Sequence, residues 1–141
     1  MTTSSPLRCL AAAAAFSLFV ECTPSPASRP RVAKFSTYYV KSYAVFMADC
    51  KRQMAATKPT TPIEGDLEVW LSVVIARPKT TVRVRPHGDV DNFVKAPLDG
   101  AKGFLWHDDD QVTSLHVTKR WASPGETPGV HVSVMPASGK E

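Results

Sequence analysis

The sequence predicts an α/β domain of the mixed, α+β kind: one small unit, a mixed sheet with two helices, element order β-α-β-α-β-β. Three observations lead there. The chain has 141 residues, 43% of them hydrophobic, which suits one core built from roughly 100–150 residues and is too apolar for a disordered chain. Apolar residues alternate with polar ones in several short runs. Between the first of these runs lies a stripe at three- and four-residue steps, so helix and strand periods take turns along one chain.

Phe16-Ser17-Leu18-Phe19-Val20-Glu21-Cys22 reads as the first strand, with Leu18, Val20 and Cys22 on one face. Residues 8–20 also imitate a secretory signal, with one positive charge before a short apolar run. Glu21, however, sits where a small residue should precede cleavage. A membrane span needs about 20 apolar residues, which excludes one here. Residues 1–15 are expected to be a disordered or non-native extension, residues 16–135 the folded domain and residues 136–141 a flexible tail.

A Pro-punctuated turn follows the first strand. Ser36 or Thr37 is then placed to cap a helix over residues 38–56, whose stripe is Tyr39, Tyr43, Phe46, Met47, Cys50 and Met54. Lys58-Pro59 ends it. Leu67, Val69, Leu71, Val73 and Ile75 alternate through a strand over residues 66–76. A second, short helix is expected over residues 90–102, with Pro97 and Gly100 shortening or kinking it. Strand alternation returns over residues 111–121 and again at Val130, Val132 and Val134.

Charge is unevenly placed. Of the 13 acids, Asp89, Asp91, Asp99, Asp108, Asp109 and Asp110 crowd into one window whose only bases are Lys95 and Lys102, while the remaining Lys and Arg dominate elsewhere. A basic body around an acidic patch suits a polyanion held by the body and a cation held by the patch. Cys9, Cys22 and Cys50 are odd in number and widely spaced, which argues against a disulfide framework or a zinc site and for reduced thiols in a cytoplasmic protein.

Asp89 and Asp91 sit two apart at a loop-to-helix junction, and Asp108, Asp109 and Asp110 fall in the turn before a strand. Converging carboxylates are what Mg²⁺ needs. At a phosphodiester the ion neutralises developing charge and supplies hydroxide near neutral pH. Lys95, four residues after Asp91, is placed one helical turn along to bear on a phosphate. The same residues also read as helix-dipole complements, a solvated turn and an exposed ion pair. A small domain has little room for a deep cleft, so an active site at a dimer interface suits it.

Gly88-Asp89-Val90-Asp91-Asn92-Phe93-Val94-Lys95, then Leu98-Asp99-Gly100, then Asp108-Asp109-Asp110-Gln111-Val112 and Lys119, resembles the RusA family of Holliday junction resolvases. Upstream, Thr23-Pro24-x-Pro26-x-x-Arg29-Pro30-Arg31 is similar to the first-strand loop of many phage-type members. The resemblance covers about residues 16–135. It implies a crossover junction endodeoxyribonuclease acting in DNA recombination and repair, with Mg²⁺ as cofactor and Mn²⁺ able to substitute. It also implies a homodimer, four-way junction DNA as partner and paired symmetric nicks, a reaction whose two cuts match a two-fold dimer. By the same resemblance Asp89, Asp91 and Asp109 are metal-binding and catalytic carboxylates, Lys95 is the catalytic lysine and Asp108 a supporting acid.

The chain departs from the family pattern at Gly100, Pro97 and Asp110. The first two are expected to loosen the helix carrying Lys95. Arg29, Arg31, Lys34, Arg83 and Arg85 are candidate DNA contacts, with Arg77 and Lys79 beside them. Phe104 and Trp106 fit core packing or a wedge at a junction centre. His87 and His107 flank the acids, but Mg²⁺ prefers oxygen. His116 and His131 read as ordinary strand histidines. Two other classes stay open: a non-catalytic branched- or single-stranded-DNA-binding protein, and an exported Ca²⁺-binding domain.

Overall fold

Leu67, Val69, Leu71 and Val73 alternate with Glu68, Trp70 and Ser72, so an extended chain here must bury one face, and the sheet forms around it. A computed structural model of the protein describes residues 16–27, 31–32, 37–38 and 41–137. The elements are β1 (Phe16–Glu21), β2 (Arg31–Val32), β3 (Thr37–Tyr38), α1 (Lys41–Thr57), β4 (Leu67–Ile75), α2 (Lys95–Ala101), β5 (Val112–Trp121) and β6 (Gly129–Pro136), with single 3₁₀ turns at Val90–Phe93 and Asp109–Gln111. Four strands make one sheet in the order β1-β6-β4-β5, and β2 pairs with β3 separately. β4 runs parallel to β5, whereas β6 is antiparallel to both β1 and β4. The mixed sheet, the two helices and the element order are as expected, apart from the added β2–β3 pair.

The pairing register explains the core. Val69 faces Val134, Leu71 faces Val132 and Val73 faces Val130, so each rung contributes to the same face. Val20, opposite Val130, extends that face onto β1. Tyr43, Phe46, Cys50 and Met54 of α1 are buried against it, together with Phe93, Ala96, Leu105 and Trp106. Burying side chains of this size is worth about 1.5–3 kcal/mol each before chain entropy is counted. α1 is fastened to the end of β1 by Gln53, which accepts from the Glu21 amide at 2.9 Å and donates to its carbonyl at 2.5 Å.

Four expectations are corrected. α1 starts at Lys41 rather than at residue 38, because Thr37 and Tyr38 pair with Val32 and Arg31 and are drawn into an extended strand; Ser36 lies outside the described residues. The second helix is split, with a 3₁₀ turn at Val90–Phe93 preceding α2. Pro97 does not interrupt α2. It is the third residue of the helix, where an amide would have no intrahelical acceptor. Gly100 lies within α2 and is buried against α1: a Cβ there would lie 3.1 Å from the Cys50 Cβ and the Lys51 amide, so a larger residue would require α1 to give by a few tenths of an ångström. At the C-terminal end of the sheet, Pro136 is the last residue of β6 and the Ala137 amide donates to the Asp66 carbonyl at 3.0 Å.

Cys22 and Cys50 are free thiols, as expected; the side-chain hydrogen bond with Cys22 and then burial hold the Cys50 thiol well above its ordinary range. Cys9 lies outside the described residues. Among the described residues no helix is long and apolar enough to cross a membrane.

Candidate active site

The chain leaves β4 and returns as the 3₁₀ turn that carries the first two acids. Gly88 opens this turn with φ +97°, and a Cβ on it would come within 2.9 Å of Pro26, so both conformation and space require glycine. Asp89 is extended and its carbonyl accepts from the Asn92 amide at 2.9 Å; Asp91 accepts from Val94 at 3.3 Å. The Ala27 amide donates to Asn92 at 2.6 Å, and Phe93 is buried beneath. Held from below and from the side, the turn leaves Asp89 and Asp91 exposed, with neither carboxylate bonded to another described side chain.

Lys95 begins a new helix after the turn, and its ammonium lies 3.2 Å from Asp99. Both groups are about half exposed, so the pair itself is worth a few tenths of a kcal/mol at most. Lys95 is the first residue of α2, which follows the acidic turn after Val94 alone.

The second acid group sits at the start of β5. Gln111 accepts from the amides of His107 at 2.7 Å and Asp108 at 3.0 Å, and donates to the carbonyls of Ile63 and Gly65, each at 2.9 Å. One amide side chain thereby secures the whole 107–111 turn to the entrance of β4. Asp109 accepts from the Trp106 indole at 2.7 Å, and Trp106 is fully buried, which makes it core rather than a wedge. Asp108 lies 3.8 Å from Lys102, and Asp110 is exposed.

The two acid groups occupy opposite ends of β5. Lys119, near its C-terminal end, donates from Nζ to Pro86 at 2.7 Å and to Gly88, the residue before Asp89. Asp109 lies just before the strand begins. At about 3.3 Å per residue, roughly 25 Å of extended chain separates the two ends. Among the described residues no group of three His, Cys, Asp or Glu is close enough to hold a metal ion, so one chain does not bring Asp89, Asp91 and Asp109 to a single point. The cause is topological. β4 and β5 are parallel, so the connection between them must leave at one end of the sheet and re-enter at the other, with α2 as the return path.

A cleft of about 410 Å³ opens beside the first turn, lined by Arg83, Arg85, His87, Asp89, Asn92 and Lys119. The arginines are set by their backbone: the Trp121 indole donates to the Arg83 carbonyl at 3.1 Å, and the Arg83 side chain donates to the Arg85 carbonyl at 3.3 Å. Arg77 stands 5.7 Å over the Trp121 ring. Arg29 and Lys34 lie outside the described residues, as does the side chain of Arg31 in β2. His107 is near Glu64, His116 stacks on Trp70 and bonds Glu68, and His131 packs on Phe19.

Gln111, Asn92 and Lys119 are the site residues whose roles sequence reasoning missed. For Lys119 the available signal was the Lys119–Arg120 pair near the end of a strand with no other Lys, Arg, Asp or Glu. For Arg83→Ala and Arg85→Ala we expect each to lower the slope of log affinity for DNA against log salt by about 1, read from binding isotherms at several salt concentrations.

Exposed carboxylates stand at the rim of a cleft lined by arginine and lysine. Residues 21–135 match the family model described as Endodeoxyribonuclease RusA. The chain belongs to the RusA family, and so to the endodeoxyribonucleases. No curated protein matches it.

Proposed function

We propose that this chain is a Mg²⁺-dependent, structure-selective endonuclease that resolves four-way DNA junctions as a homodimer, with Asp89 and Asp91 of one subunit joined by Asp109 of the partner. The observation that carries this reading is the placement of two acid groups at opposite ends of an edge strand. β5 pairs only with β4 among the described residues, and its residues 112–118 carry no charge. Long uncharged edges are usually covered. One end carries Asp108, Asp109 and Asp110 and the other the bases Lys119 and Arg120, of which Lys119 is bonded to backbone carbonyls and Arg120 to Glu126 at 2.6 Å. Antiparallel pairing of two β5 edges about a two-fold axis sets each acidic end beside the partner's basic end and its 89–91 turn.

The residues fit Mg²⁺. Asp89 and Asp91 present exposed hard oxygens, and this ion commonly takes one or two carboxylates with waters and phosphate completing its shell. When bound, the ion supplies charge neutralisation at the phosphate and an activated water. Lys95, steadied by Asp99, adds positive charge beside the scissile phosphate. Arg83 and Arg85 hold flanking phosphates, and Arg29, Arg31 and Lys34 are further DNA contacts. Asp108 supports Asp109 from the same turn. Two such sites related by one axis nick opposed strands symmetrically, which suits a role in recombination and repair.

The test is cleavage of a synthetic four-way junction in Mg²⁺. We expect paired nicks from the wild type and, for Asp91→Asn, a loss of about a thousand-fold, since a metal ligand supports several kcal/mol of transition-state stabilisation. Equal activity in both proteins removes the reading. The failure of one chain to gather three carboxylates favours a second reading, a branched-DNA-binding protein without turnover. Salt-sensitive junction binding with no nicking in Mg²⁺ or Mn²⁺ would establish it.

A further inference from the structure

Lys119 stands on the face of β5 that looks toward the core, opposite the fully buried Val73. Its stem is half-buried and its ammonium is committed to backbone, donating to the carbonyls of Pro86 and Gly88. Among the described residues it makes no ion pair with a carboxylate. A lysine placed this way spends its charge on two carbonyls that flank the entry to the acidic turn. Pro86 is buried, so its carbonyl has little access to water, and the left-handed Gly88 turns the next carbonyl to the same donor. With both carbonyls tied to β5, the chain leaves Gly88 with Asp89 directed into the cleft that Lys119 also lines.

We propose that Lys119 is a positioning residue for the 89–91 carboxylates, fixing their turn to the sheet before ion or DNA arrives. Without it the turn keeps the Ala27–Asn92 hydrogen bond and the buried Phe93, and loses the two hydrogen bonds that tie its entry to β5. The inference rests on reading Asp89 and Asp91 as metal ligands, so its test has one arm that needs no metal.

The full-length protein, metal-free, is compared with Lys119→Met, which keeps the apolar stem and removes the donor, and with Lys119→Arg, which keeps donors. Hydrogen exchange is followed at the amides of Asn92 and Val94, whose acceptors lie in the turn. The expected result for Lys119→Met is exchange at least about tenfold faster there, with unchanged protection in β4 and β6. Mn²⁺ affinity measured by electron paramagnetic resonance should fall about 10–100-fold, the usual effect of losing a group that orients metal ligands. Lys119→Arg should recover most of both.

Unchanged exchange in the turn overturns the proposal. So does exchange that rises evenly across the domain, which marks a general stabiliser, and so does local loosening with unaltered Mn²⁺ affinity. If the wild type binds no Mn²⁺, the metal reading fails instead, and the exchange arm alone decides whether Lys119 holds the turn.

Discussion

Asp91→Asn and Asp109→Asn, each inactive alone, should regain junction nicking when the two proteins are co-refolded. Random pairing makes about half the dimers mixed. In a mixed dimer one site combines both lesions, while the other has intact Asp89 and Asp91 from one subunit and intact Asp109 from the other. About a quarter of wild-type sites should therefore act. The product is also diagnostic: a mixed dimer has one working site, so it leaves nicked junctions rather than resolved duplexes. Against single-variant losses of about a thousand-fold, recovery to tens of per cent is unmistakable on a gel. Carboxylates that assembled within one chain would give no recovery, and the interface reading would fail with them. The physical basis is the parallel β4–β5 pair, which sends the 89–91 and 109 carboxylates to opposite ends of one strand.

Gly129→Val should be the most destabilising small substitution outside the core. Gly129 is buried at the first position of β6 and pairs with Glu21 of β1. A Cβ there would collide with the Val20 carbonyl and the Phe19 ring. Relief requires moving β1 off the sheet edge, which uncovers Val20 and strains the Gln53–Glu21 tie to α1. The cost should be at the upper end for overpacking, about 3 kcal/mol or more. For a domain of this size that lowers the melting temperature by roughly 10 °C. Gly125→Ala is the control. Gly125 has φ +82° with open space around a Cβ, so it carries only backbone strain, about 1 kcal/mol. Calorimetry of both variants checks the ranking; similar melting temperatures would show that β1 yields without cost.

Alternation at Leu67, Val69, Leu71 and Val73 determined β4, and the Tyr43–Phe46–Cys50–Met54 spacing determined the buried face of α1, because period alone decides which residues can share a face. Asp89, Arg83 and Arg85, which line one cleft, were also singled out by side-chain chemistry alone. Boundaries were less so: Thr37 and Tyr38 have little to distinguish helix cap from strand until Val32 and Arg31 pair with them.

Tertiary structure alone decided three things. Gly100 and Pro97 look like helix breakers in one dimension, yet Gly100 packs tightly on Cys50 and Lys51 of α1 and Pro97 falls in a first turn. Lys119 and Gln111 acquire their roles only from backbone carbonyls far away in sequence. The distance between Asp91 and Asp109 follows from strand direction, which no local pattern encodes, because a parallel and an antiparallel neighbour can share the same alternation while placing their connecting loops at different ends of the sheet.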